Sequence, residues 1–113
     1  MEVTIWHNPR CSKSRQTLQL LQDRGIEPQI VDYQKAPPSK AEITRVLNLL
    51  SCKASDVVRK GEKIYKELQL SNANDEALVA AMSKHPILIE RPIVEANGKA
   101  ALGRPPENVL DIL

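Results

Sequence analysis

Residues 3–14 read VTIWHNPRCSKS, and this stretch joins a short apolar strand to a helix through a cysteine-bearing turn. The four β-branched and aromatic residues at its start are typical of a buried strand. Leu18 and Leu21 follow at helical spacing, and the helix is predicted to end at Gly25, a favourable residue just beyond a helix. Residues 29–33, centred on Ile30-Val31, predict a second strand that is parallel to the first. The first third of the chain is therefore predicted to be a right-handed βαβ unit.

The middle of the chain carries helical patterns. Ser39 and Glu42 form a capping box before apolar residues at helical spacing. We expect a short helical turn over residues 55–59. A further helix should open at residues 74–76 and end by His85-Pro86, because proline cannot continue a helix.

The last third predicts strands and a turn. Residues 87–89 and 93–95 are apolar runs typical of strands. Asn97-Gly98 is a strong signal for a two-residue hairpin, so residues 99–102 should return antiparallel. After the proline-rich loop at residues 103–106, a last helix should present Val109, Leu110 and Leu113.

This order of elements predicts an α/β, thioredoxin-like fold. Its sheet should be mixed and four-stranded, with a helical insertion between strands 2 and 3, in a single domain over residues 1–113. In such a fold Pro92 precedes the third strand, where thioredoxin-like proteins place a cis-proline beside the active thiol. Few X–Pro bonds are cis, and the fold analogy raises the chance for Arg91-Pro92, but the sequence alone leaves this bond undecided.

Composition excludes several classes of function. The net charge of +2 is too small, and the charges too mixed, to indicate nucleic-acid binding. No apolar run approaches the roughly 20 residues that cross a membrane, and the start of the chain lacks the pattern of a signal peptide. Two cysteines without a pairing pattern suit a reducing cytoplasm. Cysteines and histidines are too few, and too irregularly spaced, to predict a metal site.

Cys11 is the strongest candidate for chemistry. It lies where the first N–H groups of a helix are unpaired, and these groups and the helix dipole favour a negative charge. Lys13 and Arg15 act in the same direction, so the thiol pKa should be low and the sulfur a nucleophilic thiolate. The same N–H groups could hold an oxyanion substrate.

Five blocks of sequence carry a resemblance to a known family. They are HNPRCSKSR at residues 7–15, DYQKAPP at 32–38, VRKGE with YKEL between 58 and 68, HPILIERPIV at 85–94 and GRPPE at 103–107. In this order and at this spacing the chain resembles the glutaredoxin-linked arsenate reductases over almost its full length.

The resemblance implies a reaction and a set of residues. Arsenate would be reduced to arsenite through a thiolate–arsenate adduct, with glutathione as co-substrate, glutaredoxin as partner protein and no bound cofactor or metal. In the family one cysteine is the nucleophile, three arginines bind the oxyanion, and a histidine and a serine tune the thiol. The matching residues are Cys11 as nucleophile, Arg59, Arg91 and Arg104 as oxyanion ligands, and His7 and Ser14 as the tuning pair.

Other interpretations stay open at this stage. The chain could be a glutathione-dependent thiol reductase of another substrate, since the same thiol and arginines would serve it. It could also be a non-catalytic regulatory relative that binds a protein partner. Serine at position 14, where a redox switch would carry a second cysteine, argues against that regulator. Ser14 could simply cap the helix and His7 could be a satisfied buried side chain, while Cys52 matches no family motif and is expected to pack in the core.

Overall fold

A computed structural model describes residues 2–113 of the chain and has one mixed sheet of four strands. The strands are β1 (Val3–Trp6), β2 (Gln29–Val31), β3 (Ile93–Ala96) and β4 (Lys99–Leu102). Their order across the sheet is β2-β1-β3-β4, with β1 parallel to β2 and antiparallel to β3. The predicted mixed four-stranded sheet, interrupted by helices between its second and third strands, is confirmed.

The helices follow most of the predicted signals. Ser39 accepts a hydrogen bond from the Glu42 N–H at 3.1 Å, and Asn74 caps its helix by accepting from the Ala77 N–H at 2.9 Å. The α-helices are α1 (Ser12–Asp23), α2 (Lys40–Leu50), α3 (Ala54–Val57), α4 (Lys63–Glu67) and α5 (Asp75–Lys84). Three 3₁₀ helices cover Leu70–Asn72, Pro86–Leu88 and Pro106–Ile112.

The chain divides into two compact units. Residues 2–36 and 91–113 form the sheet unit, and residues 37–90 form the insertion unit. In the sheet unit, α1 and the last 3₁₀ helix bury an apolar cluster against the strands, and removal of this apolar surface from water favours folding. The buried residues of the cluster are Val3, Ile5, Leu21, Val94, Ala96, Val109 and Ile112.

The insertion unit has a core of its own. Helix α5 packs against α2 and α3 and against the 3₁₀ helix Pro86–Leu88. The apolar positions that follow Ser39 at helical spacing supply the buried face of α2, as the pattern predicts. The buried side chains of these two longer helices are Ile43, Val46, Leu47, Leu78, Val79 and Met82.

The strand predicted at residues 87–89 is wrong. Pro86 starts a 3₁₀ turn in which the Leu88 N–H donates to the His85 carbonyl at 2.9 Å and the Ile89 N–H to that of Pro86 at 3.0 Å. Proline fixes its own φ in the helical range and lacks an N–H for a ladder, so the turn prevails over the apolar run. Only Ile89 keeps a strand-like contact, an isolated antiparallel bridge to Val58.

The last helix is a 3₁₀ helix, and its buried face differs from the prediction. Val109 and Ile112 are buried, whereas Leu110 and Leu113 are only half-buried. Because a 3₁₀ helix has about three residues per turn, positions i and i+3 share a face. Three smaller differences from the prediction concern the end of one strand and two short helices. Strand β2 ends at Val31, and neither α4 nor the 3₁₀ helix Leu70–Asn72 was predicted.

The hairpin and the prolines follow the sequence signals. Asn97 and Gly98 both have positive φ, 55° and 72°, as a two-residue turn between twisted antiparallel strands requires. The Arg91-Pro92 bond, which the sequence left undecided, is cis, and so is the Arg104-Pro105 bond. Within residues 2–113, no helix has both the length and the apolarity to cross a membrane.

Candidate active site

The turn before α1 holds Cys11 as the N-cap residue of that helix. The Cys11 backbone is extended, and its N–H donates to the Asn8 carbonyl at 3.0 Å. Its own carbonyl accepts the first helical hydrogen bond, from the Arg15 N–H, at 3.0 Å. Arg15 also braces the turn through a bond from Nη1 to the Pro9 carbonyl at 2.9 Å. Cys11 therefore lies in the turn before the helix, as the sequence predicts, and hydrogen bonds fix this turn at both ends.

The surroundings of the sulfur favour its charged form. Partial burial of Cys11 opposes ionisation, but the N–H groups of Ser14 and Lys13 and the side chain of Arg91 together lower its thiol pKa. The Cys11 side chain does not close a capping hydrogen bond with the described N–H groups of the first turn. The N–H groups of Ser14 and Lys13 nevertheless favour the charged sulfur, as the lowered thiol pKa reflects. The direction of the shift is the one expected for a cysteine at a helix N-terminus.

Two of the predicted arginines lie at this thiol. Arg104 Nη1 is 4.0 Å from Cys11 Sγ and donates to the Arg91 carbonyl at 3.2 Å. The Arg91 side chain lowers the thiol pKa both as a hydrogen-bond donor and through its charge. The sheet unit thus brings together a polarised sulfur and two guanidinium groups. A thiolate and fixed cations around it are what attack on an oxyanion requires.

Close packing sets where Arg104 begins. A Cβ at Gly103 would lie 2.5 Å from Thr17 Oγ1 and 2.7 Å from Pro92 Cγ, closer than real Cβ contacts allow. The Gly103 N–H donates to the Pro92 carbonyl at 2.9 Å, and the fully buried Thr17 donates to the Lys13 carbonyl at 2.8 Å. Only glycine fits between α1 and Pro92, so this contact holds the loop that carries Arg104 close to the cysteine turn.

His7 and Ser14 form a buried pair beneath the cysteine turn. His7 Nδ1 lies 2.7 Å from Ser14 Oγ, and Ser14 Oγ accepts a hydrogen bond from the Asn8 N–H at 3.0 Å. Burial lowers the His7 pKa, opposed by the charge of Asp32 and aided by that of Arg15, so the surroundings favour the neutral imidazole. His7 and Ser14, the pair predicted to tune the thiol, are therefore in contact. Ser14 lies in α1 and its side chain contacts His7, which follows β1, and Asn8 in the turn.

Asn8 is a residue whose role the sequence analysis missed. It is buried, and its side-chain oxygen accepts from the Arg10 N–H at 3.0 Å while its carbonyl accepts from Cys11. This is a local turn of the kind that asparagine favours because its short side chain mimics a backbone group. The signal that could have identified it is asparagine before proline at a strand end.

The third predicted arginine lies in the insertion unit with two carboxylates. Arg59 Nε is 3.0 Å from Glu62 Oε2, and Arg59 Nη1 is 2.7 Å from Glu90 Oε1. All three side chains are about a quarter exposed, between 23% and 25%. Burial lowers the Arg59 pKa, but its two carboxylate partners outweigh this and raise it. Neither glutamate was predicted as a partner of Arg59.

Cys52 also lies in the insertion unit. Its thiol is free and half-buried and donates to the Leu50 carbonyl at 3.4 Å. It lines a cavity of about 440 Å³ between α2 and α5. The expectation that Cys52 packs in the core is therefore met only in part, because its side chain is half-buried. Across residues 2–113, no group of three or more histidine, cysteine or acidic side chains could hold a metal ion.

Comparison with known proteins gives consistent matches. The profile of the ArsC family matches residues 6–112. The chain is 50% identical to the uncharacterized protein YfgD of Escherichia coli K12, with 99% of this chain and 97% of that protein covered. It is 49% identical to an arsenate reductase of Neisseria meningitidis serogroup A, covering 99% and 98%. Among solved structures, an arsenate reductase from Vibrio cholerae matches with a TM-score of 0.97 at 52% identity, over 100% of this chain and 98% of that one.

Proposed function

The chain belongs to the ArsC family, and we propose that it reduces arsenate to arsenite with Cys11 as the nucleophile. One observation carries the proposal: the polarised Cys11 sulfur lies beside two arginines, with Arg104 Nη1 at 4.0 Å and Arg91 lowering the thiol pKa. The relatives from Neisseria and Vibrio, which are named arsenate reductases, support the choice of substrate.

Arsenate suits this pair of arginines. It is a small tetrahedral anion at neutral pH, and each of its oxygens can accept from a guanidinium fork. Arg91 and Arg104 would hold the anion with one oxygen directed away from the sulfur. Charge that builds up on the arsenic oxygens during attack would then meet donors that are already in place. Arg59 is also proposed as an oxyanion ligand, and only its match to the family motif supports this role.

The first step forms a covalent adduct. The Cys11 thiolate attacks As(V), a sulfur–arsenic bond forms, and one arsenic–oxygen bond breaks as water leaves with protons from the substrate and solvent. No oxidation state changes in this step. The buried His7 and Ser14 are proposed to hold the turn in place so that the sulfur keeps its position during attack.

Reduction then needs thiols from outside the chain. Glutathione displaces a second oxygen as water and gives a Cys11–S–As(V)–S–glutathione centre. A thiolate of glutaredoxin attacks the glutathione sulfur, the electron pair of that arsenic–sulfur bond stays on arsenic, and a mixed disulfide leaves. Arsenic is now As(III), and water displaces Cys11 to release arsenite. The serine at position 14 supports this scheme because the turn has no second thiol to resolve the adduct.

A coupled assay tests the proposal. NADPH oxidation is followed with glutathione, glutathione reductase and glutaredoxin, with and without arsenate, and arsenite is quantified. Wild type and Cys52→Ser should turn over alike, whereas Cys11→Ser should lose at least about 1,000-fold, because the nucleophile is gone. Arsenate-independent turnover of another disulfide substrate, without arsenite, would instead favour a glutathione-dependent thiol reductase. Folded wild type with reduced Cys11 and no arsenite formed would overturn the proposal.

A further inference from the structure

Two glutamates hold the Arg59 side chain from separate parts of the insertion unit. Glu62 lies three residues beyond Arg59 and takes its Nε–H, whereas Glu90 lies 31 residues away in sequence and takes a hydrogen from Nη1. The third nitrogen, Nη2, has no acceptor among residues 2–113. The guanidinium is therefore fixed through two of its nitrogens and keeps the third for an external acceptor.

The backbone beneath this cluster is fixed as well. The Arg59 N–H donates to the Leu88 carbonyl at 2.7 Å, and the Glu90 N–H donates to the Val57 carbonyl at 2.9 Å. These bonds flank the antiparallel bridge between Val58 and Ile89. Both ends of the Arg59–Glu90 ion pair thus start from paired backbone, which lowers the entropy cost of holding a long arginine side chain in one orientation.

We propose that Glu62 and Glu90 are positioning residues that hold the Arg59 guanidinium through Nε and Nη1 and leave Nη2 to donate to an oxyanion. The inference rests on the proposed function, in which Arg59 is one of the anion ligands. Neither glutamate contacts the substrate in this account. Each acts through the arginine by accepting one of its hydrogen bonds.

Charge and orientation pull in opposite directions at this cluster. The carboxylates of Glu62 and Glu90 carry negative charge, which opposes the approach of an anion to Arg59. Because these carboxylates do not help to attract an anion, we infer that their role is to orient the Arg59 side chain. Glutamine separates the two effects, because its amide oxygen still accepts from arginine but carries no charge, whereas alanine removes both.

The test compares these variants in the coupled assay. Glu90→Ala should raise the KM for arsenate about tenfold, the loss expected for one charge-assisted hydrogen bond, with kcat within about twofold of wild type. Glu90→Gln should restore KM to about the wild-type value or below it. Glu67→Ala is the matched control, because Glu67 is half-exposed and its ion pair with Lys63 is long at 3.8 Å. Thermal melting of each variant checks that it is folded.

A second readout works without turnover. In ¹⁵N–¹H spectra, assigned with Arg59→Lys, the Arg59 Nε–H signal should be sharp and exchange slowly in wild type and should shift when arsenate is added. In Glu90→Ala the signal should broaden, and the arsenate-induced shift should need about tenfold more arsenate.

The outcomes separate the two hypotheses. If wild type makes arsenite but Glu90→Ala matches Glu67→Ala in KM, or if Glu90→Gln is as impaired as Glu90→Ala, the positioning role is wrong while the proposed function stands. A lower KM in Glu90→Ala would also contradict it, since the carboxylate would then only mask the arginine. If wild type makes no arsenite, the proposed function fails, and the Nε–H titration alone decides whether the glutamates orient Arg59 for an anion.

Discussion

Cys11 and Arg59 are both predicted site residues, but their surroundings are opposite in charge. Around Cys11, in the sheet unit, the groups that act on the sulfur are N–H dipoles and the guanidinium groups of Arg91 and Arg104. Around Arg59, in the insertion unit, two carboxylates compensate the charge. The three arginines that match the family motifs therefore have two kinds of surroundings. Arg91 and Arg104 lie at the Cys11 thiol, whereas Arg59 is paired with two glutamates.

This difference changes what a substitution is expected to do. Beside the sulfur, removal of a cation lowers both the supply of thiolate and the affinity for an anion, so the two losses add. Around Arg59, removal of a carboxylate leaves more of the arginine's positive charge to attract an anion but no longer holds its side chain in one orientation. These two effects on anion affinity oppose each other. The predictions below test whether this contrast holds, beginning with the largest effect.

The largest effect of an arginine change should come at the thiol. Arg91→Ala should lower kcat/KM for arsenate about 100-fold and raise the Cys11 thiol pKa, because the same side chain stabilises both the thiolate and the anion. Stopped-flow alkylation by iodoacetamide across pH measures the pKa, and its midpoint should move to higher pH. Arg45→Ala, an exposed arginine paired with Glu42 on α2, is the control. An unchanged midpoint in Arg91→Ala would contradict this role.

The next effect concerns packing in the sheet unit. Gly103→Ala should lower the free energy of unfolding by about 1–3 kcal/mol, because the new methyl group overlaps Thr17 and Pro92. It should also displace Arg104 and reduce activity. Gly61→Ala is the matched control, since a Cβ there meets no atom within 4 Å and its φ is ordinary. The free energies of unfolding of the two variants are compared by urea denaturation. Equal values would contradict the prediction, because they would show that the loop at Gly103 accommodates the methyl group without loss of stability.

The smallest effect should come from His7. Its pKa is lowered by burial, so the unfolded chain binds a proton at a higher pH than the folded protein does. Between the ordinary value of 6.5 and the lowered one, the unfolded state carries more protons, and stability falls as the pH is lowered through that window. His7→Gln should flatten this part of the Tm-against-pH curve. An equally steep fall in His7→Gln would assign the acid sensitivity to other groups.

The sequence predicted the parts of the fold that local signals decide. The β-branched start of the chain, the Asn97-Gly98 turn and the Ser39 cap each specify one backbone geometry, and each is present. The strand predicted at residues 87–89 was wrong because an apolar run alone does not distinguish a strand from a turn, and Pro86 favours the turn. The 3₁₀ form of the last helix failed for a similar reason, since periods of 3.0 and 3.6 differ little over one short segment.

The candidate site divides in the same way. The place of Cys11 at a helix N-terminus follows from residues next to it in sequence, so the lowered thiol pKa was predictable. The partners of Arg59 were not, because Glu90 is 31 residues away and the pairing depends on the Val58–Ile89 bridge. The tight fit of Gly103 against Thr17 likewise joins segments 86 residues apart, which no local pattern reveals.

Protection of Cys11 by arsenate tests the central claim most directly, because Cys52 provides an internal reference in the same molecule. The reduced protein is alkylated with iodoacetamide over a range of arsenate concentrations, and the rate at each cysteine is read by mass spectrometry of peptides. The account predicts that arsenate slows alkylation of Cys11 in a saturable way, leaves Cys52 unchanged and loses this effect in Arg104→Ala. Equal rates at Cys11 with and without saturating arsenate would contradict an oxyanion site at this thiol.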